Sequence, residues 1–310
     1  MTATPFRQFL SAYWLRPETA LWRAIDLQAM SGFDFDQPSL DLGCGDGIFS
    51  FIRAGGEFDL RFDATRAAAR LDAFFDKVDV FDTFEGYCPP NPLRPPAYRI
   101  SCGFDLKENL LKKASALGLY DSLSAGDANS PLPFPDATFA SLFSNILYWL
   151  REPQSTMYEI ARVLMPQGRC CLMLPNPSLR DFTFYHRLYV TTGDARFEFL
   201  EKLDRGRIRE IRHACSDTDW RQMFARAGLR VLDHHRHLCR TVIQIWDIGL
   251  RPLFPVLHKL AARLKGEDLD EIKREWIGIL ENFLEPLVEL DPTLDTDVEP
   301  AFHCYVLEKN

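Results

Sequence analysis

The stretch Ser39-Leu40-Asp41-Leu42-Gly43-Cys44-Gly45-Asp46-Gly47-Ile48-Phe49 constrains the fold more than any other. An apolar run carrying one acid passes into a loop with glycine at every second position, and apolar residues then resume. Glycine takes positive φ and lets backbone approach a ligand where a Cβ would clash. A helix opening after Gly47 points unpaired N–H groups into the crevice at the strand end. A dinucleotide fingerprint reads G-x-G-x-x-G. Here the pattern is D-x-G-x-G-x-G, and the residue three past Gly47 is Ser50.

The remaining units follow in order. Residues 99–105 read as a strand ending in Asp105, and Leu106, Leu110, Leu111, Ala114 and Leu117 mark a helix face. Residues 123–128 give a third strand end with Asp127 and Ala128. Residues 140–145 are a fourth strand, closing on Asn145. Met157, Ile160, Ala161 and Leu164 form a helix face that stops near Pro166 and Gly168. Residues 170–175 are a fifth strand. A helix over 219–227, with Gly228 as its stop, leads to a sixth strand over 230–239, and residues 301–307 supply the seventh. This order predicts an α/β chain with a doubly wound, seven-stranded, Rossmann-like sheet and a ligand at the carboxyl ends of its strands.

Over residues 39–176 the motifs, in this order, resemble class I S-adenosylmethionine-dependent methyltransferases, and within them the small-molecule, type 11-like branch. The resemblance implies S-adenosylmethionine as cofactor. It implies that Asp41 with Gly43, Gly45 and Gly47 holds the methionine end, that Asp105 binds the ribose hydroxyls and that Asp127 meets the adenine amino group. Ala128 and Asn145 complete the implied wall. The chemistry fits independently, because an ionised carboxylate only accepts hydrogen bonds and a ribose diol offers two donors. A lone Asp at a strand end also serves as a turn former or helix cap.

Asp105 lies much further from the glycine loop than the roughly 20 residues usual for a ribose-binding acid. Asp59 and Asp63 are its rivals at shorter spacing, although Gly55 and Gly56 make a poor strand before Asp59. Residues 53–97 are therefore taken as an insertion, with a helix over 64–78 and a proline-rich extended stretch over 89–96. The alternative keeps Asp59 as the ribose ligand.

Residues 1–38 read as an N-terminal helical arm in which Pro17 suits a first helical turn. In the resembling family such a helix closes over the cofactor, which gives Arg16 the methionine carboxylate as a partner. The core then covers 39–239 and 298–310, with a cap segment over 178–214. A second, helical cap over 240–297 carries the stripe Ile272, Trp276, Ile279, Phe283 and Leu287. Tyr185 and His186 stand in the aromatic run of the first cap and are the candidate catalytic residues, with His213 behind them. His235, His237 and Cys239 share a face of the sixth strand, but a metal centre also needs geometry and second-shell support, and none is expected.

The 310 residues carry a net charge of −8, which disfavours nucleic acid and anionic membrane surfaces as partners. No apolar run reaches the roughly 18 residues of a membrane span. The start lacks a secretory pattern, and eight cysteines in a chain this long read as reduced thiols in a cytoplasm. The expected activity is methyl transfer to oxygen or nitrogen of a small, partly apolar or aromatic metabolite. Its rivals are a non-catalytic cofactor-binding or protein-interaction module and a nicotinamide dehydrogenase, which the missing third glycine argues against.

Overall fold

The computed structural model describes residues 4–74, 78–200 and 211–310. Its strands are β1 (Ser39–Leu42), β2 (Glu57–Phe58), β3 (Pro92–Arg94), β4 (Ile100–Asp105), β5 (Tyr120–Ala125), β6 (Phe139–Ser144), β7 (Leu164–Pro175), β8 (Leu229–His237) and β9 (Phe302–Lys309). Its helices are α1 (Pro5–Ala12), α2 (Pro17–Ala29), α3 (Ile48–Arg53), α4 (Glu108–Ser115), α5 (Pro153–Val163), α6 (Ser178–Phe182), α7 (Phe184–Thr192), α8 (Asp217–Arg226), α9 (Arg240–Ile248), α10 (Phe254–Ala261) and α11 (Glu267–Leu290).

The predicted seven-stranded sheet is present, in the order β5-β4-β1-β6-β7-β9-β8. β1 runs parallel to both neighbours, with Asp41 beside Gly103 of β4 and Phe143 of β6. The chain builds outward from β1 first to one side and then to the other, so the crevice opens at the carboxyl end of β1. β9 is antiparallel to β7 and β8 and lies between them. β2 and β3 pair with each other outside this sheet.

Alternation along β7 divides the core. Cys170, Leu172 and Leu174 face a cluster completed by Met157 and Ile160 of α5 and by Trp220 and Phe224 of α8. Cys171 and Met173 face the other cluster, built with α1, α2, α3, α9 and α11. Helix starts follow local chemistry. Pro17 and Pro153 occupy first turns, and Ser216 caps α8 by accepting the Asp219 N–H at 3.2 Å.

Several boundaries differ from expectation. α5 ends at Val163, and Leu164 turns extended to pair with Phe139, so Pro166 and Gly168 stand inside the irregular start of β7. α1, capped by Thr4, is an additional helix. Among the described residues of 64–78 there is one 3₁₀ turn, Leu71–Ala73, in place of a helix, and residues 75–77 lie outside the description. The α11 stripe faces water in part, with Ile272, Ile279 and Phe283 exposed, while Ile277 and the aliphatic stem of Lys273 are buried. Lys273 donates to the Phe62 carbonyl at 2.6 Å, and burial pulls its amine down to about 8. Part of the cap segment 178–214 (201–210) also lies outside the description. Among the described residues no helix is long and apolar enough to cross a membrane.

Candidate active site

A cavity of about 550 Å³ opens over the carboxyl ends of β1, β4, β5 and β6. One half of its wall comes from the strand ends, and α2 with the cap supplies the other. Of the residues expected to hold a cofactor, Arg16, Asp41, Gly43, Gly45, Asp105, Asp127, Ala128 and Asn145 all line it. Gly47 does not. It sits in the left-handed region at φ 76° and starts α3, and a Cβ there would press on Tyr120 and Leu117, so its task is the turn rather than contact with a ligand.

Gly43 has no room for a side chain either. Its φ is 86°, and a Cβ would stand 2.4 Å from Cγ2 of Ile146. The loop is pinned from behind by Gly43 N–H donating to the Phe104 carbonyl at 2.8 Å. Asp41 is buried and accepts from Ser50 Oγ at 2.6 Å and Tyr120 OH at 2.7 Å. Burial raises its pKa against those two donors. It therefore ties β1 to α3 and β5 beneath the loop.

Asp105 accepts the Gly45 N–H through Oδ2 and the Lys107 N–H through Oδ1, both at 2.9 Å. A carboxylate has about four lone-pair sites, so two remain for a diol. Asp127 accepts from the Asn129 backbone N–H at 2.9 Å and from its amide at 2.7 Å, and these bonds lower its pKa. The rivals point elsewhere. Asp59 follows β2 outside the main sheet and accepts the Arg61 N–H, while Asp63 accepts from Trp14 Nε1 and from Thr65. Neither lines the cavity.

Arg16 is buried, pairs with Glu18 and has its guanidinium 5.5 Å from the Phe254 ring centroid, with Phe74 and Phe81 at 5.9 Å. Seven residues further along α2, Arg23 reaches the cavity over Phe49, at 5.5 Å. Burial alone disfavours its charge, but Tyr13, Asp26 and Asp46 face it and raise its pKa. Asp46, also in the wall, is itself raised by burial. Beyond Arg23 the wall turns aromatic. Trp22 lies 4.9 Å from Trp246 and 5.3 Å from Phe302, and Phe302 meets Tyr148 at 5.6 Å. Arg23, Asp26, Trp246 and Phe302 were not identified from sequence. The spacing of Trp22 and Arg23 four and three residues before Asp26 on α2 was the one available signal.

Tyr185 and His186 are not in this wall. Asp247 accepts from the N–H groups of Phe184 and Tyr185, at 2.7 and 3.2 Å, and so seats the first turn of α7 on α9. His186 Nε2 meets Arg180 at 3.3 Å. His213 contacts the Arg151 carbonyl at 3.0 Å and is likewise outside the cavity. The histidines of β8 diverge rather than converge. His235 pairs with Asp233 at 2.8 Å, and the buried His237 pairs with Asp26 at 3.2 Å. On the opposite face His303 links His234 and Asn176, each at 3.0 Å, and burial pulls its pKa down to about 3.

The seven-stranded sheet, the glycine loop and the strand-end carboxylates are the arrangement expected of a class I S-adenosylmethionine-dependent methyltransferase. Residues 91–172 match the family described as a methyltransferase domain. The match runs from β3 into β7 and does not include the glycine loop, which residues 48–90 separate from it. No curated protein matches the chain. Among solved structures, a possible histamine N-methyltransferase from Thermotoga maritima is 12% identical, with 97% of this chain and 99% of that one covered and a TM-score of 0.47. A complex of the Haloferax volcanii Trm112 methyltransferase activator with a putative methyltransferase gives 17%, 94%, 91% and 0.47 for the same quantities. The [4+2]-cyclase SpnF gives 16%, 96%, 83% and 0.47. These values are too low to carry a substrate or partner across to this chain.

Proposed function

We propose that the chain methylates a small, partly apolar or aromatic acceptor, at oxygen or nitrogen, seated between α2, Tyr148-Trp149 and Trp246 with Phe302. The family implies S-adenosylmethionine, which supplies an electrophilic methyl group carried on a sulfonium. The carrying observation is that one cavity holds both the strand-end acids and the aromatic wall. On this reading Asp105 accepts from the ribose hydroxyls and Asp127 from the adenine amino group. Gly43 and Gly45 admit the methionine end, with Asp41 holding the loop from beneath. Ala128 and Asn145 line the wall beside them. Arg23 replaces Arg16 as the cation for the methionine carboxylate, because Arg16 is already paired with Glu18 and ringed by aromatics. His186 and Tyr185 receive no catalytic role, since α7 is anchored outside the cavity. The residues of α2 and the cap align the acceptor and exclude water.

The test is calorimetric titration with S-adenosylhomocysteine. Asp105→Ala removes hydrogen bonds to a charged acceptor, each worth about 1.5–3 kcal/mol, so binding weakens about tenfold or more. Asp59→Ala leaves it unchanged. The reverse pattern, or no binding by the unaltered protein, overturns the reading.

A further inference from the structure

Asp26 is only 4% exposed, yet it lines the cavity. It faces Arg23 without a hydrogen bond to it, and no cofactor contact is assigned to it. Its Oδ1 meets Nε2 of His237, itself 3% exposed, at 3.2 Å. Nδ1 of His237 is sealed from solvent and has no hydrogen-bond partner among the described residues. That asymmetry fixes the tautomer. A proton on Nε2 donates to the carboxylate and leaves a bare lone pair on Nδ1. The other tautomer would set a lone pair against the carboxylate and strand a buried N–H, which costs about 1–3 kcal/mol. His237 is held in turn by its register opposite Phe302 in the β8–β9 ladder. The pair is therefore a carboxylate oriented from behind, with Oδ2 left for a ligand.

The surroundings narrow what that ligand is. Trp22 stands one helical turn before Asp26 on α2, and Trp246 and Phe302 pack against it at 4.9 and 5.3 Å. Aromatic faces attract cations, and a carboxylate among them attracts a cation that also donates hydrogen bonds. We infer that Asp26, positioned by His237, binds the amino group of an arylalkylamine acceptor, so that nitrogen is the atom methylated. This rests on the reading above and narrows it.

The chemistry suits nitrogen. The ammonium held by Asp26 first gives one proton to solvent water in the open cavity, so the acceptor reacts as the neutral amine. Its lone pair forms the bond to the methyl carbon as the carbon–sulfur bond breaks, and that bond's electron pair stays on sulfur. The positive charge thus passes from sulfur to nitrogen, and no proton leaves in the step. Asp26 then faces the ammonium as it forms, which is the position at which a fixed carboxylate lowers the barrier.

The experiment uses the full chain saturated with S-adenosylhomocysteine and titrated with phenethylamine, 2-phenylethanol and phenylacetate. The expected result is an affinity for the amine about tenfold or more above that for the alcohol or the acid. Asp26→Asn erases the preference while S-adenosylhomocysteine affinity holds. His237→Gln, which retains an N–H donor, keeps the preference, and His237→Phe loses it. Equal affinity for amine and alcohol, no amine binding, or a preference that survives Asp26→Asn overturns the inference. The unaltered protein alone decides the first two, even if a variant fails to fold. Failure of S-adenosylhomocysteine itself to bind strikes instead at the reading on which the inference rests.

Discussion

The two halves of the cavity are built by different means. The strand-end half hangs on the backbone. Gly43 N–H donates to the Phe104 carbonyl and Gly45 N–H to Asp105, so parallel register brings together residues distant in sequence. The helix-and-cap half hangs on side chains. Trp22, Tyr148, Trp246 and Phe302 meet only because α2, the β6 loop, α9 and β9 pack together. Backbone register tolerates little change, whereas packed side chains can be exchanged while the fold stays. The first half is thus suited to a constant ligand and the second to a variable one.

That contrast breaks most readily at the loop. Gly43→Ala forces a Cβ to 2.4 Å from Ile146 at a φ of 86°. Strain and overlap of roughly 3 kcal/mol should weaken S-adenosylhomocysteine binding by about 10²-fold in calorimetry. Gly45→Ala, at φ 56° with nothing within 4 Å of its Cβ, should cost only about 1–2 kcal/mol. Equal losses would mean that crowding is not what makes Gly43 necessary.

The second half has a pH-sensitive support. His303, next to Phe302 on β9, is held neutral to about pH 3 in the folded chain against an ordinary value of 6.5. Below pH 6.5 the unfolded chain takes up a proton that the folded chain refuses, so stability falls as pH falls through that window. The slope is up to about 1.4 kcal/mol per pH unit for this one group. Urea denaturation at pH 7 and 5 should show His303→Gln with about 2 kcal/mol less acid destabilisation than the unaltered protein. A parallel loss in both would remove His303 from the account.

The smallest effect sharpens the boundary of the site. His186→Ala should change neither S-adenosylhomocysteine nor phenethylamine affinity, since α7 sits on Asp247 and away from the cavity. A loss of either on titration would place α7 in the site.

How much was legible in the sequence follows the same division. Asp41, Gly43, Gly45, Asp105 and Asp127 are readable because strand ends and glycine turns carry local signals. Asp105 was separable from Asp59 because a good strand precedes it, and β2 proves to lie outside the main sheet. Strand periodicity puts His237 on one face with His235 and Cys239, from which no metal centre was expected, but it does not show that His237 pairs with Asp26. His235 and His237 do share a face in the regular register after Asp233, but His235 pairs with Asp233 while His237 reaches Asp26 across a separation of 211 residues. Tyr185 and His186 attracted attention as an aromatic-rich run, but composition says nothing of which side of the cap a helix takes. Arg16 was given the methionine carboxylate because the resembling family closes an N-terminal helix over the cofactor, but Glu18 and three phenylalanines already surround it.

The placement of β9 bears on how the chain is made. Among the described residues β8 hydrogen-bonds to no strand but β9, and β7 gains its second neighbour there. On a ribosome, residues 229–237 therefore stand as an unpaired strand until residues 302–309 emerge some sixty-five residues later. The intervening helices α9 to α11 must form and wait, and Phe302, the floor of the aromatic wall, arrives with the closing strand. The nascent protein would be able to shape the strand-end half of its pocket well before the other half exists, with a bare strand edge exposed in the interval.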